Sequence, residues 1–331
     1  MLDKASTGVL RRVSLYLASL TDFGNTVTDQ LASIIDFIRY GASRFAAAGL
    51  TFGHNYDNAL DESTQLVLHT LHLPHDMPPV YGQGRLVEAE RKQLLALIER
   101  RISERKPVAY LTGEAWFAGM SFKVDERVLV PRSPIAELIE SGFEPWLEGR
   151  EVIRAMDLCT GSGCIGIAMA EYNPDWQVDC VDISEDALEL ARENAAMHNL
   201  QRRVRVLRSD LFAAIGDLRY ELIVSNPPYV TEQEYDALPP EYGHEPALGL
   251  KAGHDGLDFA LRILQAAPQH LSDDGLLVVE VGESEHALVE LLPTVPFVWV
   301  EFKVGPMGVF VIEQCDLLKH RKDIEAVIAA R

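Results

Sequence analysis

The alternation of short apolar segments with helical segments after about residue 150 constrains the fold most strongly. Seven apolar segments are predicted strands, at 152–158, 177–182, 203–207, 221–225, 275–281, 297–303 and 308–313. Helical patterns separate most of them, at 164–172, 184–198, 256–271 and 284–292. This order predicts a mostly parallel, doubly wound α/β sheet, and the short turn before the last strand predicts a closing antiparallel hairpin.

The first third of the chain has helical patterns and no predicted strands. Residues 26–29 (Thr-Val-Thr-Asp) resemble a capping box, and apolar residues from Leu31 to Ile38 follow at helical spacing. Further helices are predicted at about 58–72 and 86–104. Between Phe117 and Val130, short extended pieces at 120–124 and 127–130 flank a polar Asp125-Glu126 turn and predict a β-hairpin between the two parts of the chain.

A glycine-rich turn follows the first strand of the α/β part. Gly161, Gly163 and Gly166 form GxGxxG between that strand and the next helix, where glycine lets the backbone turn tightly and approach a ligand. Asp182 ends the second strand, and a carboxylate at this position can accept both hydroxyls of a ribose. These features predict an adenosine-containing cofactor.

Acidic residues near the turn distinguish between two such cofactors. A dinucleotide would place its pyrophosphate at the helix N-terminus, where Asp157 would repel it. S-adenosylmethionine has no phosphate and is positively charged, so Asp157 favours it. We expect Asp210 to accept from the adenine amino group and Phe212 to pack on the ring, although Asp210 also suits a helix N-cap. An NAD-dependent dehydrogenase is the alternative from a different class.

The fourth strand ends in Asn226-Pro227-Pro228-Tyr229. Ligands of open α/β sheets bind outside the carboxyl ends of the strands, and two prolines remove two N–H donors there. The carbonyl oxygens, the Asn226 amide oxygen and the Tyr229 ring therefore form a slot for a planar NH₂ group. Acceptance of its N–H groups by Asn226 and the Pro227 carbonyl leaves the nitrogen lone pair available to attack a sulfonium methyl group. A rigid turn is the alternative interpretation.

The net charge of −20 is unevenly distributed along the chain. Residues 1–115 carry 12 Lys and Arg against 13 Asp and Glu, whereas residues 116–331 carry 18 against 37. This balance disfavours bare nucleic acid and favours a basic partner. The N-terminus lacks the apolar region of a signal peptide, and no apolar run is long enough for a membrane helix. We therefore expect a cytoplasmic protein that binds neither DNA nor a membrane.

The two motifs, at 157–163 and 226–229, resemble those of class I (Rossmann-like) S-adenosylmethionine-dependent amino-methyltransferases. Pro131-Arg132, residues 244–248 and residues 253–257 resemble the protein N(5)-glutamine methyltransferase (HemK) family, a likeness that covers most of residues 90–331. One branch of that family acts on a Gly-Gly-Gln motif of peptide-chain release factors. The other acts on large-subunit ribosomal protein three.

The residues after Pro131-Arg132 favour the second branch. The release-factor branch usually continues with Pro-Asp-Thr-Glu, whereas this chain continues with Ser-Pro-Ile-Ala-Glu. The resemblance thus implies transfer of a methyl group from S-adenosylmethionine to a glutamine of ribosomal protein three, free or on assembling large-subunit particles, with S-adenosylhomocysteine as the other product. Release-factor methylation is the alternative, and DNA adenine methylation, which shares the Asn-Pro-Pro-Tyr signature, is a further one.

The motifs and the resemblance together imply a domain plan and a set of site residues. The domains are a helical substrate-recognition domain at 1–112, a β-hairpin linker at 113–134 and a catalytic domain at 135–331. The expected catalytic residues are Asn226, Pro227 and Tyr229. The expected cofactor-binding residues are Asp157, Cys159, Thr160, Gly161, Gly163, Asp182, Ile183, Asp210, Leu211 and Asn226. The expected substrate-binding residues are Asn226, Pro227, Pro228, Tyr229, Glu245 and Pro246. No metal site is expected, and we interpret Glu280 and Glu283 as structural or capping residues.

Overall fold

The computed structural model describes residues 30–303 and 305–331. The chain divides into two compact units between Thr112 and Gly113. The helices of the N-terminal unit are α1 (Ile34–Ala47), α2 (Ala59–Thr70), α3 (Glu88–Glu104) and α4 (Val108–Thr112), with a 3₁₀ turn at Pro79–Gln83.

Helix α1 begins at a capping box that the sequence analysis did not select. The Ser33 hydroxyl accepts from the Asp36 N–H, and the Asp36 carboxylate accepts from the Ser33 N–H at 2.9 Å. These bonds satisfy two backbone donors at the helix start. The predicted capping box at residues 26–29 lies outside the described residues.

A buried ion pair crosses the core of the N-terminal unit. The fully buried Arg101 donates to both carboxylate oxygens of Glu62, at 3.2 and 3.1 Å, and to the Thr51 carbonyl at 3.0 Å. Glu62 also accepts from the Val108 N–H at 3.2 Å. Because these bonds join α2, α3 and the start of α4, they fix how the helices of this unit pack.

The C-terminal unit contains a small hairpin, a seven-stranded sheet and the helices that cover the sheet. Its strands are β1 (Glu114–Phe117), β2 (Met120–Lys123), β3 (Arg154–Leu158), β4 (Gln177–Asp182), β5 (Val204–Arg208), β6 (Tyr220–Ser225), β7 (Leu271–Glu280), β8 (Val298–Phe302) and β9 (Gly305–Glu313). Its helices are α5 (Ile135–Glu140), α6 (Cys164–Tyr172), α7 (Glu185–Met197), α8 (Glu232–Ala237), α9 (Asp258–His270), α10 (Glu285–Leu291), α11 (Gln314–Lys319) and α12 (Arg321–Ala329). Short 3₁₀ turns lie at Pro240–His244, Ala247–Gly249 and Gly282–Ser284.

The sheet has the strand order β5-β4-β3-β6-β7-β9-β8. Strands β3 to β7 pair in parallel, whereas β9 is antiparallel to both β7 and β8. The predicted fold class, a mostly parallel sheet with a closing hairpin, is therefore confirmed. The chain leaves β3 toward β4 and β5 and then returns to the other side of β3 as β6, so a topological switch point lies between β3 and β6.

Both faces of the sheet are buried, which explains why its strands are almost continuously apolar. On one face, the side chains of Ala155, Val178, Leu222, Val224 and Val278 share a core with Ile167 of α6. On the other face, the side chains of Met156, Leu158, Ile223, Leu277 and Val279 share a core with Leu261 and Leu264 of α9. These two cores hold the carboxyl ends of the strands in fixed positions.

The hairpin turns at a different place from the one predicted. Strands β1 and β2 are joined at Ala118-Gly119, where both residues have positive φ, of 45° and 70°. The Asp125-Glu126 segment is a separate turn, in which the Asp125 carboxylate accepts from the Arg127 N–H at 3.0 Å. The residues after it do not form a strand, so the predicted second strand at 127–130 is wrong.

Among the residues that the structure describes, no helix is both long and apolar enough to cross a membrane.

Candidate active site

A cavity of about 650 Å³ opens at the carboxyl ends of β3, β4 and β6, at the topological switch point. Its walls come from the segment before α5, the glycine turn, the ends of β4 and β5, the Asn-Pro-Pro-Tyr segment, and residues 238–250. The predicted site residues that line it are Cys159, Thr160, Gly161, Asp182, Ile183, Asp210, Leu211, Asn226, Pro227, Pro228, Tyr229 and Pro246. Three others, Asp157, Gly163 and Glu245, lie behind the wall.

Asp157 is buried beneath the cavity wall and accepts hydrogen bonds from residues of the glycine turn. One carboxylate oxygen accepts from the Thr160 hydroxyl and from the Gly166 N–H, the latter at 2.8 Å. Burial raises the pKa of Asp157 to about 7, although these hydrogen bonds oppose the shift. The other oxygen, Oδ1, is buried and has no hydrogen-bond partner among the described residues. The arrangement shows a bracing role, and a direct cofactor contact by Asp157 remains a prediction.

Two of the three motif glycines set the packing of α6 on the sheet. Gly163 caps this helix with a φ of +82°. A Cβ atom on Gly166 would lie 2.3 Å from the Cys180 sulfur and 3.0 Å from the Asp157 Cβ, so only glycine lets the helix approach β3 and β4 this closely. Gly161, with a φ of +54°, is the motif glycine that lines the cavity.

Asp182 places a carboxylate in the cavity wall beside the glycine turn. Its Oδ2 accepts from the Gly161 N–H and its Oδ1 from the Ser184 N–H, both at 2.9 Å. Burial raises its pKa, while the two backbone bonds oppose that shift. Each carboxylate oxygen retains a lone pair after accepting one bond, so Asp182 can still accept a pair of hydroxyl groups.

The environment of Asp210 differs from the prediction. Asp210 pairs with Arg262 at 2.8 Å on the cavity rim, and both side chains are about half exposed. Residues 211–217 form turns and not a helix, so the N-cap alternative for Asp210 is wrong. The adjacent Ser209 hydroxyl accepts from the Ala214 N–H at 2.9 Å.

The prediction that Phe212 packs on a cofactor ring is wrong. Phe212 is buried in the core, where its ring stacks on His270 with centroids 4.7 Å apart, and it does not line the cavity. Leu211 and Phe259 supply the apolar wall at this position. Phe259 lies on α9, far along the chain from β5, so no local pattern connects it with Asp210.

The Asn-Pro-Pro-Tyr segment is fixed in place by its neighbours, and the Asn226 side-chain amide is available to bind a ligand. The Ser225 hydroxyl donates to the Leu158 carbonyl at 2.7 Å, which ties the tips of β6 and β3 together. Pro227 and Pro228 are buried. Within residues 30–303 and 305–331, no hydrogen bond engages the Asn226 side chain, which faces the cavity. Its amide oxygen can therefore accept from a ligand.

Glu245 and Arg132 form an ion pair that the sequence analysis did not predict. The buried Glu245 carboxylate accepts from both terminal nitrogens of Arg132, at 2.5 and 2.8 Å, and from the Val130 N–H at 3.0 Å. Glu245 therefore joins the two cavity walls, at 127–133 and 238–250, and places the adjacent Pro246 at the cavity. The two partners lie far apart in sequence, so only the three-dimensional fold brings them together.

Every arginine that lines the cavity is already paired with a carboxylate. Arg127 pairs with Asp125 at 2.7 Å, and Arg132 and Arg262 have the partners given above; no lysine lines the cavity. A pyrophosphate would lack an unpaired cation among these described residues, whereas a positively charged ligand is matched by Asp182, which has no ion-pair partner among them. In addition, no cluster of metal-binding side chains occurs in the described part of the chain.

The fold and this site together define a class I methyltransferase. The description "Methyltransferase small domain" is that of the family model that matches residues 145–238. Two curated relatives are named "Ribosomal protein uL3 glutamine methyltransferase". The one from Xanthomonas campestris pv. campestris is 66% identical over 92% of this chain and 98% of its own. The one from Xylella fastidiosa (strain Temecula1) is 64% identical over 92% and 97%.

The chain belongs to the ribosomal protein uL3 glutamine methyltransferase family, since it matches these relatives over nearly their full length. Among solved structures, a methyltransferase from Pyrococcus furiosus is 22% identical, with a TM-score of 0.43, and the match covers 65% of this chain and 97% of that one.

Proposed function

We propose that this enzyme transfers a methyl group from S-adenosylmethionine to the side-chain amide nitrogen of a glutamine in ribosomal protein uL3. The products are N(5)-methylglutamine and S-adenosylhomocysteine. The observation that carries the proposal is the 66% identity, over nearly the whole of both chains, to a curated uL3 glutamine methyltransferase. The free amide of Asn226 in the cavity supports the chemistry.

The glycine turn, Asp182 and Asp210 are the residues that would hold the cofactor. The Asp182 carboxylate, together with arginines that are already paired, suits a ligand that is positively charged and lacks phosphate. When bound, S-adenosylmethionine supplies a methyl group on a positively charged sulfur. The sulfur leaves readily because transfer of the methyl group makes it a neutral thioether. Leu211 and Phe259 offer apolar surface for its adenine ring.

The Asn-Pro-Pro-Tyr segment would hold the glutamine side chain. The Asn226 Oδ1 and the Pro227 carbonyl accept the two amide N–H groups, and the Tyr229 ring packs against the amide plane. Delocalisation into the carbonyl makes an amide nitrogen a weak nucleophile, and these two acceptors favour the form whose lone pair is available. The proton leaves after the nitrogen has become positive, so positioning and electrostatics suffice without a strong base.

Replacement of Asn226 tests this assignment. We expect Asn226→Ala to reduce methyl transfer to purified, unmethylated uL3 by about 100-fold, because a preorganised polar contact to the reacting group is lost. Binding of S-adenosylmethionine, measured by calorimetry, should stay within about twofold of the unmodified enzyme. The control is Gln201→Ala, which removes an amide from an exposed position outside the cavity.

Two results would contradict the proposal. Unchanged transfer by Asn226→Ala would remove the assigned role of the slot. Methylation of purified release factors but not of uL3, by the unmodified enzyme, would retain the mechanism and reassign the substrate.

A further inference from the structure

A buried carboxylate lies directly behind the proposed glutamine slot. Glu280 ends β7 and is 4% exposed. Its Oε1 accepts from the Tyr229 hydroxyl at 3.0 Å, and its Oε2 accepts from the Ser133 hydroxyl at 2.5 Å. Glu280 therefore connects the Asn-Pro-Pro-Tyr segment with the cavity wall that precedes α5.

The remaining contacts of Tyr229 leave its ring little freedom. A Cβ atom on Gly282 would lie 2.6 Å from a ring carbon, and one on Gly256 would lie 2.2 Å from the Tyr229 carbonyl oxygen. The Ser284 hydroxyl also donates to that carbonyl, at 3.2 Å. Because the tyrosine hydroxyl is bonded to Glu280, it is the ring of Tyr229, and not its hydroxyl, that is available to a substrate amide.

The two hydrogen bonds are strongest when the Glu280 carboxylate is ionised. An ionised Glu280 accepts from Tyr229 and Ser133 at once, whereas a protonated one carries a donor of its own and loses part of this capacity. Burial raises the pKa of Glu280 to about 7, while the two hydrogen bonds and the charge of Arg132 oppose the shift. The charged and titratable groups that face Glu280 are thus Tyr229 and Arg132, and Arg132 is itself paired with Glu245.

We propose that Glu280 is a positioning residue for methyl transfer, which acts by holding the Tyr229 ring as the wall of the slot beside Asn226 and Pro227. This role rests on the proposed function, because it concerns the binding of the glutamine amide. It predicts that loss of the carboxylate weakens the use of the protein substrate and leaves cofactor binding unchanged.

The test compares Glu280→Gln, Tyr229→Phe and the double variant, with purified uL3 as substrate. We expect Glu280→Gln at pH 8 to lower kcat/KM about tenfold, mainly through a higher KM for uL3, and to keep the Kd for S-adenosylmethionine. The double variant should be no worse than the poorer single variant, because both changes act on one contact: glutamine weakens it by removing the charge, and phenylalanine removes its donor. The control, Glu290→Gln, alters an exposed glutamate on α10 and should change nothing.

The pH profile separates positioning from a merely structural role. In the unmodified enzyme kcat/KM should fall as the pH drops from 8 to 6 and Glu280 gains a proton. In Glu280→Gln, kcat/KM should fall less over this pH range, since glutamine does not titrate. Ser133→Ala, which keeps the carboxylate, should shift the decline to higher pH because it removes a bond that favours the ionised form.

Three results would overturn the inference: an unchanged KM and pH profile in Glu280→Gln, effects that multiply in the double variant, or an unmoved decline in Ser133→Ala. Absence of any glutamine methylation by the unmodified enzyme would instead overturn the proposed function and this inference with it.

Discussion

At the scale of single residues, the site separates groups that face the ligand from groups that hold them. Asn226, Asp182 and Asp210 line the cavity, whereas Asp157, Glu245 and Glu280 are buried behind it and bond to its walls. Burial of these supporting carboxylates is costly unless hydrogen bonds compensate, and it raises the pKa of Asp157 and of Glu280 to about 7.

The raised pKa of Asp157 makes the stability of the protein depend on pH. Between the ordinary aspartate pKa and about 7, the folded state binds a proton that the unfolded state releases, so this group's contribution to stability falls as the pH rises. We expect Asp157→Asn to make the loss of unfolding free energy between pH 5.5 and 8, measured by urea denaturation, shallower. Glu280 acts in the same direction, so some slope should remain.

Asp175→Asn, at an exposed position, is the control for this experiment and should keep the slope of the unmodified protein. An equal slope in Asp157→Asn would show that the Asp157 carboxyl does not take up a proton in this range.

The sequence alone located Asn226 and Asp182 correctly at strand ends, because each directly follows an apolar strand. The buried position of Asp157 also follows from the sequence, through the alternation of side chains along β3. Side chains alternate between the faces of a strand, so Asp157 shares a face with Ala155, beneath α6. The stacking of Phe212 on His270 had no such signal, since it depends on packing between distant segments.

At the scale of elements, the glycine turn and α6 form one unit with β3 and β4. We expect Gly166→Ala to lower the free energy of unfolding by about 1–3 kcal/mol, because the added methyl group overlaps Cys180 and Asp157. Thermal unfolding measures this directly. Gly243→Ala is the control, since its Cβ would meet no atom within 4 Å and its φ is not positive. Equal melting temperatures for the two variants would contradict the close packing of α6.

The strands and helices after residue 150 could be predicted because their apolar patterns are long and buried on both faces. Short elements were less predictable. The hairpin turns at Ala118-Gly119, and the more polar Asp125-Glu126 pair gave a stronger but misleading turn signal. Helix α1 begins at Ser33, where the sequence offers the same capping pattern as residues 26–29. The sequence alone therefore does not identify Ser33 as the residue that caps this helix.

At the scale of the whole molecule, the acidic charge is less concentrated near the site than composition indicates. Of the seven acidic residues in 226–258, Glu241 and Glu245 are buried, and Asp255 and Asp258 pair with Arg331. Glu232, Glu234 and Asp236 on α8 are exposed. We therefore expect the exposed carboxylates of α8 and the overall charge of −20, rather than the whole of this segment, to attract a basic protein substrate.

The chain divides into two units between Thr112 and Gly113, and the expected domain plan of 1–112, 113–134 and 135–331 remains a prediction. A substrate-recognition role for the N-terminal unit remains a prediction, as does a cytoplasmic location. The residues to which the proposed function assigns catalysis all lie in the C-terminal unit.

The most direct test of the proposed function is methyl transfer in an extract of cells that lack this enzyme. The purified protein is added with S-adenosylmethionine labelled in its methyl group, and labelled peptides are fragmented in a mass spectrometer. We expect the label on the side-chain nitrogen of a glutamine in uL3. A label confined to release factors, or to nucleic acid, would contradict the assignment of uL3 as the substrate.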